Sequence, residues 1–149
     1  MNISWNLKPF EELSVNELYS ILKLRAEVFV VEQNCSYQDL DGKDLKSVHL
    51  MGTNKDNELI VYSRIVPPTI SFNEVSIGRV LSALKYRKTG AGKLLMQKSI
   101  EVIYQKFGEV PIRISAQAYL KTFYERLGFV KTSEEYLEDG IPHIEMLKL

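Results

Sequence analysis

The stretch Tyr86-Arg-Lys-Thr-Gly-Ala-Gly-Lys-Leu-Leu95, YRKTGAGKLL, sets two glycines and the basic residues Arg87, Lys88 and Lys93 directly before an apolar, helix-like run. Glycine lets backbone approach a ligand closely, and a helix N-terminus offers unpaired N–H groups at the positive end of its dipole. The pattern therefore reads as a loop that holds an anion. A P-loop requires G-x-x-x-x-G-K-[ST]. Here Leu94 follows Gly92-Lys93, and Arg87 stands where the first glycine belongs. A dinucleotide-binding G-x-G-x-x-G fails as well, because no third glycine recurs in the run after Gly92. What remains is Arg87-x-x-Gly90-x-Gly92 between a strand and a helix, for which a pyrophosphate is the natural guest. The competing reading is a plain strand-to-helix turn with solvated lysines.

Working outward, Met96, Ile100, Ile103 and Phe107 share one helical face, and Gly108 suits the position just past the helix end. Upstream, EVSIGRVLSAL (Glu74–Leu84) reads as a strand. SVHLMGT and ELIVYSRIV form two more, separated by NKDN, and Pro67-Pro68 ends the second. Near the start, a short strand at Trp5–Lys8 precedes a helix capped by Ser14 and Glu17, which runs to about Val30. Glu32–Lys46 is polar and reads as a long loop. Downstream come a strand in VPIRISAQ, a helix in AYLKTFYERLGF stopped by Gly128, and a hairpin turning at Asp139-Gly140. The expected fold class is α/β (α+β): a mixed, mostly antiparallel sheet flanked by helices, in one domain spanning 1–149.

Composition narrows the function. Nineteen basic and nineteen acidic side chains cancel, so there is no global charge to draw nucleic acid or an anionic membrane. No segment approaches the ~18 apolar residues of a membrane span. The charged first twenty residues do not resemble a signal peptide, and a cytoplasmic location is expected. A single cysteine, Cys35, excludes an internal disulfide and a thiolate metal site. Asp39, Asp41 and Asp44 lack the spacing of a calcium loop. They read as a solvated acidic loop, or as a lure for a cationic amine.

The Arg87-x-x-Gly90-x-Gly92 pattern resembles the acetyl-CoA signature of the GNAT N-acetyltransferases, and the order of elements matches that superfamily nearly end to end. LRAEVFVVEQNCSYQDLDGKD, IGRVLS, AQAYLKTFYERLGF and EDGIPHIEM are further similar to its ElaA group. The resemblance implies the GNAT fold and transfer of an acetyl group from acetyl-CoA to a primary amine within a ternary complex. It implies that backbone N–H groups of Arg87, Lys88, Thr89, Gly90, Ala91 and Gly92 hold the pyrophosphate. Backbone of Arg79, Val80 and Leu81 would bind the pantetheine arm. A diphosphate held by main-chain donors needs no metal, so none is expected.

Tyr124 matches the tyrosine that many such enzymes use to protonate the leaving thiolate; by pattern alone it is one member of a packing stripe with Leu120, Phe123 and Leu127. An ammonium has a pKa of about 10 and must lose a proton before it attacks. Glu32, His49 and His143 are the candidate bases, with a water chain as the alternative. Cys35 as an acyl carrier is a further option, though it has no partner base in sequence. The same fold could also serve a non-catalytic acyl-CoA binding or sensing domain. The acceptor is left open, as is the choice between monomer and homodimer.

Overall fold

The computed structural model describes residues 2–149. Strands β1 (Ser4–Pro9), β2 (Val48–Thr53), β3 (Leu59–Val66) and β4 (Ser76–Ser82) form an antiparallel sheet in that order. In a second sheet β8 (Ile141–Lys148) lies between β5 (Ile112–Gln117) on one side and the short β6 (Val130–Lys131) and β7 (Tyr136–Glu138) on the other. The two sheets touch through one parallel bridge, Val75 to Ile112, closed by the Arg113 N–H donating to the Val75 carbonyl at 3.0 Å. Beyond that bridge β4 and β5 pair no further, and a wedge opens between them.

The helices take opposite faces. α2 (Ala91–Phe107) brings Leu95, Met96 and Ile103 against Val61, Ile65, Ile112 and Ile114. α1 (Val15–Arg25) covers the other face, where Ile21, Leu24 and the following Val28 meet Met51, Tyr62 and Leu81. Alternation along β3 separates the two sets: Ser63 bonds Ser99 of α2 at 2.8 Å, whereas Tyr62 and Arg64 face α1. The capping box forms as expected, with Glu17 N–H donating to Ser14 Oγ at 3.0 Å and Ser14 N–H donating to Glu17 Oε1 at 2.8 Å.

Three local features depart from the sequence expectation. The first helix stops being α-helical at Arg25 and continues as a wider π-helical segment, Ala26–Glu32. Such segments rearrange the side chains that leave a helix end, and this one delivers Glu32 to the mouth of the wedge. The helix expected over 118–129 is a 3₁₀ turn (Ala118–Leu120) followed by the short α3 (Lys121–Glu125). The third departure is the loop 33–46. It is not merely solvated; it is clamped to the sheet by arginines.

Arg25, fully buried, donates from Nε to Asp39 at 2.9 Å and from Nη1 to Asp44 at 2.7 Å. Arg64 grips Asp41 through two bonds of 2.8 and 2.9 Å and reaches Asp44 at 3.1 Å. Arg79 donates to Asp39 at 2.7 Å. Bidentate guanidinium–carboxylate pairs are among the strongest directional contacts available to a chain. The aspartates are thereby consumed, which removes them as a lure for a cationic amine.

Candidate active site

The wedge between β4 and β5 continues into a cleft of about 1080 Å³. One end is the loop singled out by its glycines. Lys88 and Gly90 both have positive φ (61° and 89°), which turns the chain sharply into α2. The first helical bond is Leu94 N–H to Gly90 O, 3.1 Å. Among the described residues no backbone acceptor pairs with the N–H of Lys88, Thr89 or Gly90, and the first N–H groups of an α-helix such as α2 have no intrahelical partner. Gly90 leaves open space where a side chain would begin, and Gly92 has only Ser82 Oγ near it, at 3.6 Å. A row of free donors at a helix N-terminus, with the backbone laid bare by glycine, fits a diphosphate.

One wall of the cleft is β4. Tyr62 pairs with Leu81 and Arg64 with Gly78, so Ser63 alone faces both Arg79 and Val80. Arg79 adopts a φ of 51°, completing a β-bulge that bends the strand and interrupts the ladder beside the wedge. The Arg79 side chain is spent on Asp39, leaving its backbone with that of Val80 and Leu81 along the cleft. All nine residues assigned to the cofactor belong to this wall or to the loop, although Thr89 and Ala91 do not line the cleft itself.

Tyr124 lies in the same cleft, its ring edge-on to Phe123 and Phe129. Burial pushes its phenol up to about 12, and no described residue hydrogen-bonds its hydroxyl. It is therefore a protonated donor throughout the working range, aimed at nothing in the protein. Glu32 also reaches the cleft, but its carboxylate is gripped by both terminal nitrogens of Arg87, one bond at 2.7 Å. That hydrogen bond holds its pKa below the usual value. A carboxylate so engaged is a weak proton acceptor.

His49 is elsewhere. It is fully buried beneath α1 and does not line the cleft. Its Nε2 lies 2.9 Å from the Asp44 carbonyl and its Nδ1 2.6 Å from the Tyr62 hydroxyl. The carbonyl can only accept, so Nε2 carries the proton and Nδ1 takes the Tyr62 O–H. Burial lowers its pKa and keeps it neutral. Both nitrogens are committed, and none faces a substrate.

The far end of the cleft is built by the closing hairpin and the clamped loop. Tyr136, Glu138 and His143 line it together with Ser115, while Cys35 donates to the Asp139 carbonyl at 3.3 Å and ties the loop to the hairpin tip. Cys35 thus has a structural partner and no adjacent base. Sequence reading missed Glu138 and Ser115 here, because only the β5–β8–β7 register brings them together.

Residues 20–149 match the acetyltransferase (GNAT) domain family. The chain belongs to the GNAT acetyltransferase family. It is 43% identical to the protein ElaA of Escherichia coli K12 over 148 residues, covering 98% of this chain and 96% of ElaA. The crystal structure of E. coli ElaA superposes with a TM-score of 0.92 at 42% identity, over 99% of this chain and all of that one. An acyl-CoA N-acyltransferase from Pseudomonas aeruginosa superposes with a TM-score of 0.94, also at 42% identity, over 99% and 100%. The fold extends to an aminoglycoside 6′-N-acetyltransferase complexed with coenzyme A, at a TM-score of 0.71 and 14% identity, over 99% and 96%. The GNAT fold expected from the sequence is the fold observed. Among the described residues no helix is long and apolar enough to cross a membrane.

Proposed function

We propose that the chain is an acetyl-CoA-dependent N-acetyltransferase that acetylates a primary amine by direct attack in a ternary complex. The observation supporting it most is the coincidence, in one cleft, of free helix-terminal N–H donors, a bulged strand with exposed backbone and a buried phenol without a partner. When bound there, acetyl-CoA supplies an activated thioester acyl group.

On this reading backbone N–H groups of Arg87–Gly92 hold the diphosphate, and backbone of Arg79–Leu81 orients the pantetheine arm. Tyr124 keeps its proton at Oη, ready for the departing thiolate, because its dry surroundings disfavour the phenolate. Arg87 stays in place through Glu32 and through bonds of 3.3 Å from its Nε and Nη2 to the Ser82 carbonyl. The test is release of free CoA thiol from acetyl-CoA on addition of primary amines. Amine-dependent release supports the reading; tight acetyl-CoA binding without release from any of a broad amine panel would leave an acyl-CoA-binding module.

A further inference from the structure

At the far end of the cleft a carboxylate and an imidazole nitrogen face each other. His143 lies on β8 with Nδ1 2.7 Å from the carbonyl of Ile141. A carbonyl only accepts, so in the neutral ring Nδ1 bears the proton and Nε2 presents its lone pair. That lone pair points toward Glu138, whose Oε2 is 3.5 Å away. The two groups can be joined only through a proton, carried on Nε2 by a protonated ring or brought by a donor that bonds both.

The surroundings hold both groups in position. Tyr136 pairs with His143 across the β7–β8 ladder and stacks on its ring, centroids 6.3 Å apart at 26°. Ser115 hydrogen-bonds Tyr136 and donates to the other Glu138 oxygen at 3.2 Å. No Lys or Arg among the described residues comes within ion-pair distance of Glu138 or of the neighbouring Asp139, whereas Glu32 has Arg87, Asp41 has Arg64, and Glu145 has Arg113 at 3.5 Å. The groups facing His143 are few. β7 contributes Tyr136 and Glu138, its own strand contributes Glu145, and β5 contributes Gln117 opposite it and Ser115 beside that, both uncharged.

We propose that Glu138 and His143 form the receiving site for the acceptor's ammonium, and that His143 Nε2 takes its proton. This rests on the acetyltransferase reading and adds a base to it. An ammonium has three donors, enough to bridge the Glu138 carboxylate and the Nε2 lone pair together. One N–H bond breaks as the proton passes to Nε2, leaving a neutral amine and an imidazolium beside Glu138. The amine lone pair forms the N–C bond to the acyl carbon while the C–S bond breaks. The sulfur takes the Tyr124 proton, the amide nitrogen sheds its second proton to solvent, His143 Nε2 returns its proton to solvent, and Tyr124 is recharged from solvent. The substrate class is a cationic primary amine, not an arylamine or another acceptor already neutral at pH 7.

The test compares ethylamine with 2,2,2-trifluoroethylamine, which has nearly the same shape but is already unprotonated at neutral pH. His143→Gln should lower kcat/KM for ethylamine at pH 7 by about 10²-fold, the low end for a positioned base. It should lower that for trifluoroethylamine less than threefold. Glu138→Gln should raise KM for ethylamine more than it lowers kcat. Equal losses for both amines, or none for either, would overturn the proposal. A separate readout needs no turnover. The chain has two histidines, so nitrogen NMR of the neutral rings should give His143 as the Nδ1–H tautomer and His49 as Nε2–H; an Nε2–H form at His143 would overturn the base assignment. Acetyl-CoA titration of the wild type and of both variants isolates the underlying reading: unchanged binding alongside failed amine discrimination would sink only the base, whereas no binding even in the wild type would sink the acetyltransferase reading.

Discussion

The two ends of the cleft are made of different materials. The end proposed for the cofactor is backbone: a glycine loop, a helix terminus and a bulged strand, all contributed by residues 79–92. The acceptor end is side chain: Ser115, Tyr136, Glu138 and His143 from three strands, closed by a loop that arginines clamp from beneath. Backbone recognition is local in sequence and tolerant of side-chain change outside the glycines. Side-chain recognition depends on register and on distant ion pairs, so it can change acceptor without disturbing the donor site. On the proposed reading, such a chain can keep its acyl donor and vary what it acetylates.

The largest effect should come from breaking the clamp. Arg25→Ala removes the fully buried guanidinium from Asp39 and Asp44, leaving Asp44 with Arg64 alone and Asp39 with Arg79. Removing one member of a buried ion pair costs about 3–5 kcal/mol. Chemical denaturation should register a loss of that order, and hydrogen exchange should rise across 33–46 before it rises in the glycine loop. Uniform exchange across both ends would erase the distinction drawn between them.

Tyr124→Phe sharpens the same division at the reacting centre. Deleting the hydroxyl should reduce kcat by about 10²-fold, in the range of a lost general acid. Acetyl-CoA affinity should be unchanged within error, since no hydrogen bond among the described residues joins the phenol to the loop. Unaltered turnover would return Tyr124 to the packing stripe with Leu120, Phe123 and Leu127.

Acid should loosen the acceptor end first. Burial opposes the Asp41 carboxylate, but hydrogen bonds and charge from Arg64 prevail and hold it at about 2. Its folded pKa lies below an unfolded value of about 3.9. Its contribution is thus fully present above pH ~4 and is lost as pH falls through about 2. Burial likewise works against Asp44, and its bonds to Arg25 and Arg64 again lower its pKa, so it adds in the same direction. A probe on loop 33–46 should report release in that window while α2 remains folded. Concerted loss of both would contradict it.

The smallest effect is expected at Glu32. Its pair with Arg87 is partly solvent-exposed, and such pairs are worth about 0–1 kcal/mol. Glu32→Gln should change acetyl-CoA affinity and turnover by less than about fivefold. A loss of two orders of magnitude in turnover would make it the base in place of His143.

The glycine loop was legible as a strand-to-helix turn because its signals are contiguous: Gly90 where φ is positive, and an apolar helix face that starts immediately after it. The Ser14–Glu17 cap and the Asp139-Gly140 turn were legible for the same reason, each residing in a few neighbouring residues. The acceptor end was not. Asp39, Asp41 and Asp44 look solvated until Arg25, Arg64 and Arg79 fold over them from 14 to 40 residues away. The two histidines look equivalent as letters. Only the partners of their ring nitrogens separate a sealed structural residue from one with a free lone pair. Glu138 carried no signal at all, since its meaning lies in a strand register.

Calorimetric titration with acetyl-CoA, run beside Gly90→Asp, tests the central claim most directly. Aspartate at φ 89° is strained, and its carboxylate would sit among the donors assigned to the diphosphate. Tight binding by the wild type and a loss of at least about 10²-fold in the variant is the predicted result, since a 1.4 kcal/mol penalty is already tenfold. Equal binding by both proteins would place the donor somewhere other than the loop at 87–92 and contradict the account.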